Sequence, residues 1–463
     1  MTENTSLIAS NRISSFILFA AIAGAPFPFG STNHLVIAFW CGLLGIGLLT
    51  ASPRGLNKGH FVLLAGISVI IAAYGFVLHE QLSDAPWVAT PPPIWAQASA
   101  ALGIPIKPYV SIVRGEPFYA LGAPLSFLLA LMCGLMVGAD RDLARRALYV
   151  MAWSGAAYAI YGILTLLFTP STVLWREKTA YVGSLTATFI NRNTAAVYFG
   201  SCAVVWLLLL LQRIRGRLPK GPIIWKEVWE YIITDTPKDL PIRVLMFFVC
   251  LAAMFMTASR AGIIVSLLGL VIAFVMFLRR DLLRTRNLIA ALAGAGAVAL
   301  ILLKFLGGNV GYRFDVQGLV DEGRLAAYQS TLRIIADHPW FGTGLGTFAW
   351  SFPAYRSDKI PMVGILDIAH STPLEFAAEL GIPLTVVVTF GWIVALVVLI
   401  HGVRSGRRQA VISLAALTVS LIALMHSLVD FSLQIPGYAI VVFSLLGVGL
   451  AQSLQGHEAK VME

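Results

Sequence analysis

Five blocks of the chain, 61–77, 195–211, 262–278, 288–303 and 384–400, contain no charged residue. A bilayer core is crossed by roughly 20 mostly apolar residues in a helix. Only helices and closed barrels satisfy their own backbone polar groups in lipid. These blocks are also rich in Gly and Ala, which lets helices pack closely there. They predict an all-α, polytopic integral membrane protein. Composition agrees: of 463 residues, 58% are hydrophobic and 12% charged, with a mean hydropathy of +0.81, whereas a soluble domain carries about 25% charge. The approximate spans are 13–29, 34–50, 60–78, 119–139, 148–168, 193–211, 243–257, 260–278, 287–306, 376–401, 410–428 and 437–453, about 12 transmembrane helices in a single membrane domain, 1–463. Arg12 followed by the apolar run 16–25 has the form of a signal peptide, but the spans that follow so closely favour a retained first helix.

The formal net charge is +10. Its placement argues against nucleic acid, because the basic residues sit in loops between spans and no basic run is interleaved with aromatics in a soluble region. With both termini cytoplasmic, most of the 33 Lys and Arg residues fall inside, in the clusters at Arg141–Arg146, 213–243, Arg279–Arg286 and Arg404–Arg408. That is the positive-inside pattern. Cys41, Cys133, Cys202 and Cys250 all lie in apolar stretches without CxxC spacing and read as small buried side chains.

Three long segments then face outward: a periplasmic loop at 79–118 rich in Pro, Trp and Ala, a loop at 169–192, and a large periplasmic loop at 307–375. Long loops that carry charge and aromatics are where function concentrates. The inside segment 213–243 holds Trp225, Trp229 and Tyr231 among charges and reads as a cytoplasmic amphipathic stretch.

Several outward charges stand out. Arg260 sits at the outer end of a helical hairpin, on the side that positive-inside disfavours. It is either an arginine snorkelling to headgroups or, with Ser259 and the following helix N-terminus, part of an anion site. Arg192 precedes another span. In the large loop, Asp321-Glu322-Gly323 leads into a helical pattern that ends at His338-Pro339, with Asp321 as cap. Arg324 and Tyr328 share a face of that helix. The run 342–346, Gly-Thr-Gly-Leu-Gly, is read as a flexible turn, since neither a preceding strand nor a following Lys-Ser or Lys-Thr makes it a phosphate loop. His370 lies just before a helix opened by Pro373, a position suited to proton transfer. His426 and Asp430, at i and i+4, are spaced to pair across one turn, either as a contact between helices or as part of a site. No His cluster has metal spacing and no G-x-S-x-G is present, so neither a metal-dependent enzyme nor a serine hydrolase is supported, and no cofactor is expected.

These residues resemble the O-antigen ligase / O-antigen (exopolysaccharide) polymerase superfamily of bacterial envelopes. The segments that carry the resemblance are FINRNTAAVYFG at 189–200, TASRAG at 257–262, GRLAAYQSTLRIIADHPWFGTGLGTF at 323–348, and AHSTPLEFAAELG at 369–381 with HSLVDF at 426–431 behind it. The resemblance implies a GT-C-like glycosyltransferase of the bacterial inner membrane. Its donor would be a glycan on undecaprenyl diphosphate and its acceptor a hydroxyl, on lipid A-core, on another glycan or elsewhere. The reaction would be metal-independent and inverting. His370 matches the family's late histidine and would be the general base. Arg260, Arg324 and Arg192 would clamp the diphosphate, since a permanently charged, bidentate guanidinium suits that task. Tyr328, Glu375, His426 and Asp430 would support them, with Glu375, just over one turn beyond His370, placed to orient it. The alternative reading is a transporter of a lipid-linked sugar or small anion, which would predict ionisable residues deep within spans and symmetric broken helices.

Overall fold

A computed structural model describes residues 2–217, 237–279, 322–360, 366–404 and 410–455. The predicted span 287–306, the cap Asp321 and the aromatic centre of the amphipathic segment, Trp225 to Tyr231, lie outside the described residues.

The chain is almost entirely helical. In order come α1 (Thr2–Gly24), α2 (His34–Leu49), α3 (Lys58–Leu82), α4 (Ile94–Leu102), α5 (Glu116–Ala120), α6 (Gly122–Gly138), α7 (Arg141–Phe168), α8 (Arg192–Arg215), α9 (Leu240–Met256), α10 (Arg260–Leu278), α11 (Glu322–Asp337), α12 (Phe348–Ser351), α13 (Thr372–Leu380), α14 (Ile382–Arg404), α15 (Ala410–Ser427) and α16 (Pro436–Leu454). Among the described residues the only strands are a two-residue antiparallel pair, Thr172–Val173 with Arg176–Glu177. Among the described residues eight helices, the one at Glu116–Gly138 running through α5 and α6, are long and apolar enough to cross a membrane; Asn11–Gly24, His34–Leu49 and Leu240–Met256 are shorter apolar helices. The chain is a polytopic membrane protein, and the predicted spans that fall on described residues correspond to these helices, with one exception.

One predicted span is corrected. The stretch 376–401 is two helices, α13 and α14, broken at Gly381. Gly381 has φ +83°, and a Cβ there would stand 2.2 Å from the Trp340 carbonyl oxygen, so only glycine lets the α11 side of the large loop close against this corner. Pro383, which follows, suits the first turn of the new helix.

Helices α8, α15 and α16 form the buried centre of the bundle, while α3 and α14 lie on its perimeter with their apolar faces outward. The closest pairing is α6 against α16. A Cβ on Gly134 would meet the Ser444 carbonyl at 2.3 Å, and one on Gly447 would meet that of Leu131 at 2.2 Å. The two backbones touch because neither position carries a side chain, as small residues permit in lipid, where burial alone does not drive helices together. Helix α1 belongs to this core: Leu18 and Ala21 are fully buried, and Tyr158 of α7 donates its hydroxyl to the Ala23 carbonyl at 2.7 Å.

The described connections lie on two rims. On one rim Asn57 bonds the Leu454 carbonyl and Gln455 bonds those of Gly55 and Ala139. On the other, Thr188 bonds Pro26, Leu185 bonds Met256, Gln81 bonds Phe341, and Ile112 bonds Thr343. The large loop joins this second rim, the site rim.

Candidate functional site

Asp430 is the centre of the site rim. Helix α15 ends at Ser427, and the turn that follows carries Asp430 inward, its amide bonded to the His426 carbonyl at 2.9 Å. The side chain is 1% exposed. A carboxylate so deeply buried requires donors, and it draws them from distant parts of the chain. The Asn193 carboxamide donates to Oδ2. The Phe431 amide donates to Oδ1 at 2.8 Å. Arg324 Nη2 stands 3.9 Å from Oδ2, and His370 Nδ1 stands 3.9 Å from Oδ1. Burial works to raise the Asp430 carboxyl, but His370, His426, the Phe431 amide and Arg324 together outweigh it and hold it below the usual carboxylate range.

Each partner is fixed by its own element. Asn191 caps α8, its side chain accepting from the Asn193 amide at 2.6 Å, which places Asn193 in the first turn. Asn193 is a joint: while its amino group meets Asp430, its Oδ1 accepts from the Ser259 hydroxyl at 2.8 Å. Ser259 caps α10 by accepting from the Gly262 amide, and Arg260 is the first residue of that helix, half-buried. Ala258, just before the cap, is held at φ +53°, a region sparsely used outside glycine and costly unless the surroundings enforce it. Arg324, near the start of α11, also donates Nη1 to the Val429 carbonyl at 3.0 Å, tying the large loop to the Asp430 turn.

His370 is held on every side of its backbone. Its φ is +54°. Tyr328, one turn along α11 from Arg324, donates its hydroxyl to the His370 carbonyl at 3.0 Å. Glu375 accepts from the Ala369 amide at 2.7 Å. Glu375 therefore orients His370 through the backbone before it, not through the imidazole. Thr372 donates to the Asp430 carbonyl at 3.4 Å. The imidazole lies beside Phe431, ring centroids 5.4 Å apart, and Nδ1 is buried with no hydrogen-bond partner among the described residues. Among the described residues the acid within 4.0 Å of it is Asp430.

Two predicted residues stand differently. His426 meets Asp430 across one turn through its backbone carbonyl, while its Nδ1 bonds the Ser432 hydroxyl at 2.9 Å. Arg192 turns to the neighbouring loop, with Nη1 on Ser184 Oγ at 3.3 Å and its guanidinium 4.9 Å over the Tyr181 ring.

The glycine-rich run is a turn, but a pinned one. Gly342, Gly344 and Gly346 have φ of +67°, +114° and +78°. The Thr343 and Gly344 amides donate to the Ala378 and Glu379 carbonyls. Gln81, at the end of α3, donates to the Phe341 and Glu379 carbonyls and accepts from the Leu345 amide. The buried Glu379 side chain accepts from the Phe348 amide at 2.9 Å. Burial, opposed by the Gly346 and Phe348 amides and helped by Glu116, pushes the Glu379 carboxyl up to about 7. Burial and the neighbouring Glu379 likewise hold the Glu375 carboxyl well above its ordinary range. Sequence reasoning missed Asn193, Gln81 and Glu379 as organising residues. An uncharged amide at a helix start, and polar residues in otherwise apolar stretches, were the available signals.

The segments 189–200, 257–262, 323–348, 369–381 and 426–431 thus meet around one carboxylate, with a histidine and an arginine facing it and a second arginine on the cap bonded to Asn193. No curated protein matches the chain. Residues 245–389 match the family model described as O-antigen ligase (Wzy_C), a stretch that includes Arg260, Arg324, Tyr328, His370 and Glu375, so this part of the chain is similar to that family.

Proposed function

We infer that this chain transfers a glycan from undecaprenyl diphosphate to a hydroxyl acceptor at the periplasmic face of the bacterial inner membrane, with its N- and C-termini cytoplasmic. The reading rests on the convergence of His370, Arg324, Asn193 and the Ser259–Arg260 cap on Asp430. A base beside guanidinium groups suits a reaction in which a hydroxyl is deprotonated while a diphosphate leaves.

In this mechanism Asp430 accepts from His370 Nδ1–H and so fixes the tautomer, leaving Nε2 to take the acceptor's proton. The 3.9 Å separation is longer than a hydrogen bond and tightens when substrates are bound, as catalytic contacts often do. The acceptor oxygen forms a bond to the anomeric carbon as the bond from that carbon to the phosphate oxygen breaks. The electron pair goes to the diphosphate, and Arg260 and Arg324 neutralise the charge that develops there. Attack from the face opposite the diphosphate inverts the anomeric centre.

The test is glycan transfer by the purified full chain in liposomes, from an undecaprenyl-diphosphate oligosaccharide with EDTA present and acceptors added singly. Turnover is expected with one acceptor class, which separates ligase from polymerase. Arg260→Ala should lower it by about 100- to 1,000-fold, the loss typical of one electrostatic donor. Folded protein that turns over no acceptor would reject the proposal in favour of transport.

A further inference from the structure

We propose that residues 85–106, between α3 and α5, form a lipid-contacting loop seated in the headgroup region of the leaflet on the site side. The segment contains no charged residue, yet Asp84 and Lys107 stand immediately at its two ends. Its apolar side chains face outward: Trp87 is 72% exposed, Val88 70%, Ile94 55%, Leu102 64% and Ile104 56%. Helix α4 buries none of its residues.

The outward faces are not those of a loose chain. The Glu80 carboxylate, at the end of α3, accepts from the Trp87, Val88 and Ala89 amides at 3.0, 2.9 and 2.8 Å. Lys107 Nζ lies 2.8 Å from Asp84, closing the base of the loop. Trp95 donates its indole N–H to the Tyr109 carbonyl, and Ser99 bridges the Ile104 carbonyl and the Ile106 amide. The backbone is fixed while its apolar groups remain outside, an arrangement that costs free energy in water and is favourable against lipid.

Continuity with the membrane face identifies the occupant. The loop leaves one apolar span and enters another, at Leu82 and Glu116. The Trp87 ring lies 6.2 Å from that of Phe76 on the perimeter helix α3, extending the face on which Val69 and Phe76 are exposed. Trp rings and flanking cations are the residues that settle at the headgroup level, and Lys107 and Arg114 supply the cations beside Tyr109. At the loop's root Gln81 holds the glycine-rich turn and the end of α13. A loop anchored in the leaflet therefore sets the height of the His370 clasp above the lipid. The inference requires only that the chain spans a membrane and is independent of the transfer chemistry.

The experiment places a bimane label on Ile94→Cys and, separately, on Leu102→Cys, with Lys359→Cys on an exposed turn as the aqueous reference. Background labelling is limited because Cys133, Cys202 and Cys250 are buried; Cys41→Ser removes the remaining half-buried thiol. Each full-length variant, monodisperse by size exclusion, is placed in phosphatidylethanolamine–phosphatidylglycerol liposomes containing shallow nitroxide-labelled lipid. Quenching at positions 94 and 102 is expected to exceed that at 359 several-fold, with aqueous iodide showing the reverse order. Equal, iodide-dominated quenching at all three positions would overturn the proposal, and so would labels shielded from both quenchers, which would assign the face to a protein partner.

Discussion

Asp239 and Asp430 lie on opposite rims, and each faces an arginine. At Asp239 the contacts are saturated. Arg243 Nε donates to Oδ2 at 2.8 Å, Arg213 contributes Nε at 3.0 Å and Nη2 at 2.9 Å to Oδ1, and Arg243 also reaches the Tyr149 hydroxyl. The carboxylate remains 38% exposed. At Asp430 the carboxylate is sealed, its hydrogen bonds come from an amide side chain and a backbone N–H, and the Arg324 guanidinium and the His370 imidazole both stay at 3.9 Å. In both places burial works to raise the carboxyl and is outweighed, by direct arginine hydrogen bonds at Asp239 and by histidines, a backbone amide and a more distant arginine at Asp430. The first arrangement joins the ends of α8 and α9. The second holds an imidazole and a guanidinium beside a buried charge at a distance longer than a hydrogen bond.

The largest effect that separates the two belongs to the imidazole and its acid. His370→Ala should lower transfer by about 100- to 10,000-fold, the usual contribution of a general base, while the protein accumulates and remains monodisperse. Asp430→Asn should approach the same loss, because the neutral side chain no longer fixes the tautomer. Transfer retained within a few-fold in either variant would end the comparison. Next in size is Asn193→Ala, which breaks the joint between Ser259 and Asp430. About a tenfold loss of kcat with little change in KM is expected. Asn193→Asp should be worse, since it sets a second carboxylate against Asp430. Steady-state kinetics on both variants would show whether the order holds.

The bundle was legible in the sequence and much of the site was not, for physical reasons. A span announces itself by a run of apolar residues, so α8, α10 and α16 were visible from composition alone. The break at Gly381 was hidden, because a glycine among apolar residues does not reveal that the Trp340 carbonyl will press against it. Arg260, Arg324 and His370 were visible as charges or rings in unusual places. Asp430 was visible as a neighbour of His426 at helical spacing, and its amide does bond the His426 carbonyl one turn back, but the partners of its carboxylate come from elsewhere in the chain. Its bond to Asn193 spans 237 positions, and no local pattern encodes such a pairing.

A smaller effect concerns the clasp behind His370. With the Glu379 carboxyl pushed up to about 7, the folded chain binds that proton more tightly than the unfolded chain does. The stability this provides is complete below the ordinary carboxylate range and is lost as pH rises through about 7. Glu375, raised in the same direction, adds to the slope. Glu379→Gln keeps an acceptor for the Phe348 amide but does not titrate. Thermal unfolding in detergent should therefore find this variant close to the parent at pH 5 and a few degrees more stable at pH 8. A parent whose stability rises across that interval would reverse the sign and reject the assignment.

The smallest effect should come from the other rim. Asp239→Asn removes a carboxylate that is more than a third exposed, so solvent screens its two arginine contacts and their loss should cost about 1 kcal/mol or less. Arg213 and Arg243 then face each other without a counter-charge at the junction of α8 and α9, and a slight fall in unfolding temperature that deepens at low salt is expected, as for any like-charge contact near a surface. Transfer should stay within twofold of the parent, because none of the contacts of Asp239 reaches the site rim. A loss comparable to that of Asp430→Asn would mean that the two rims are mechanically coupled through α8, the helix that carries Arg213 at one end and Asn193 at the other.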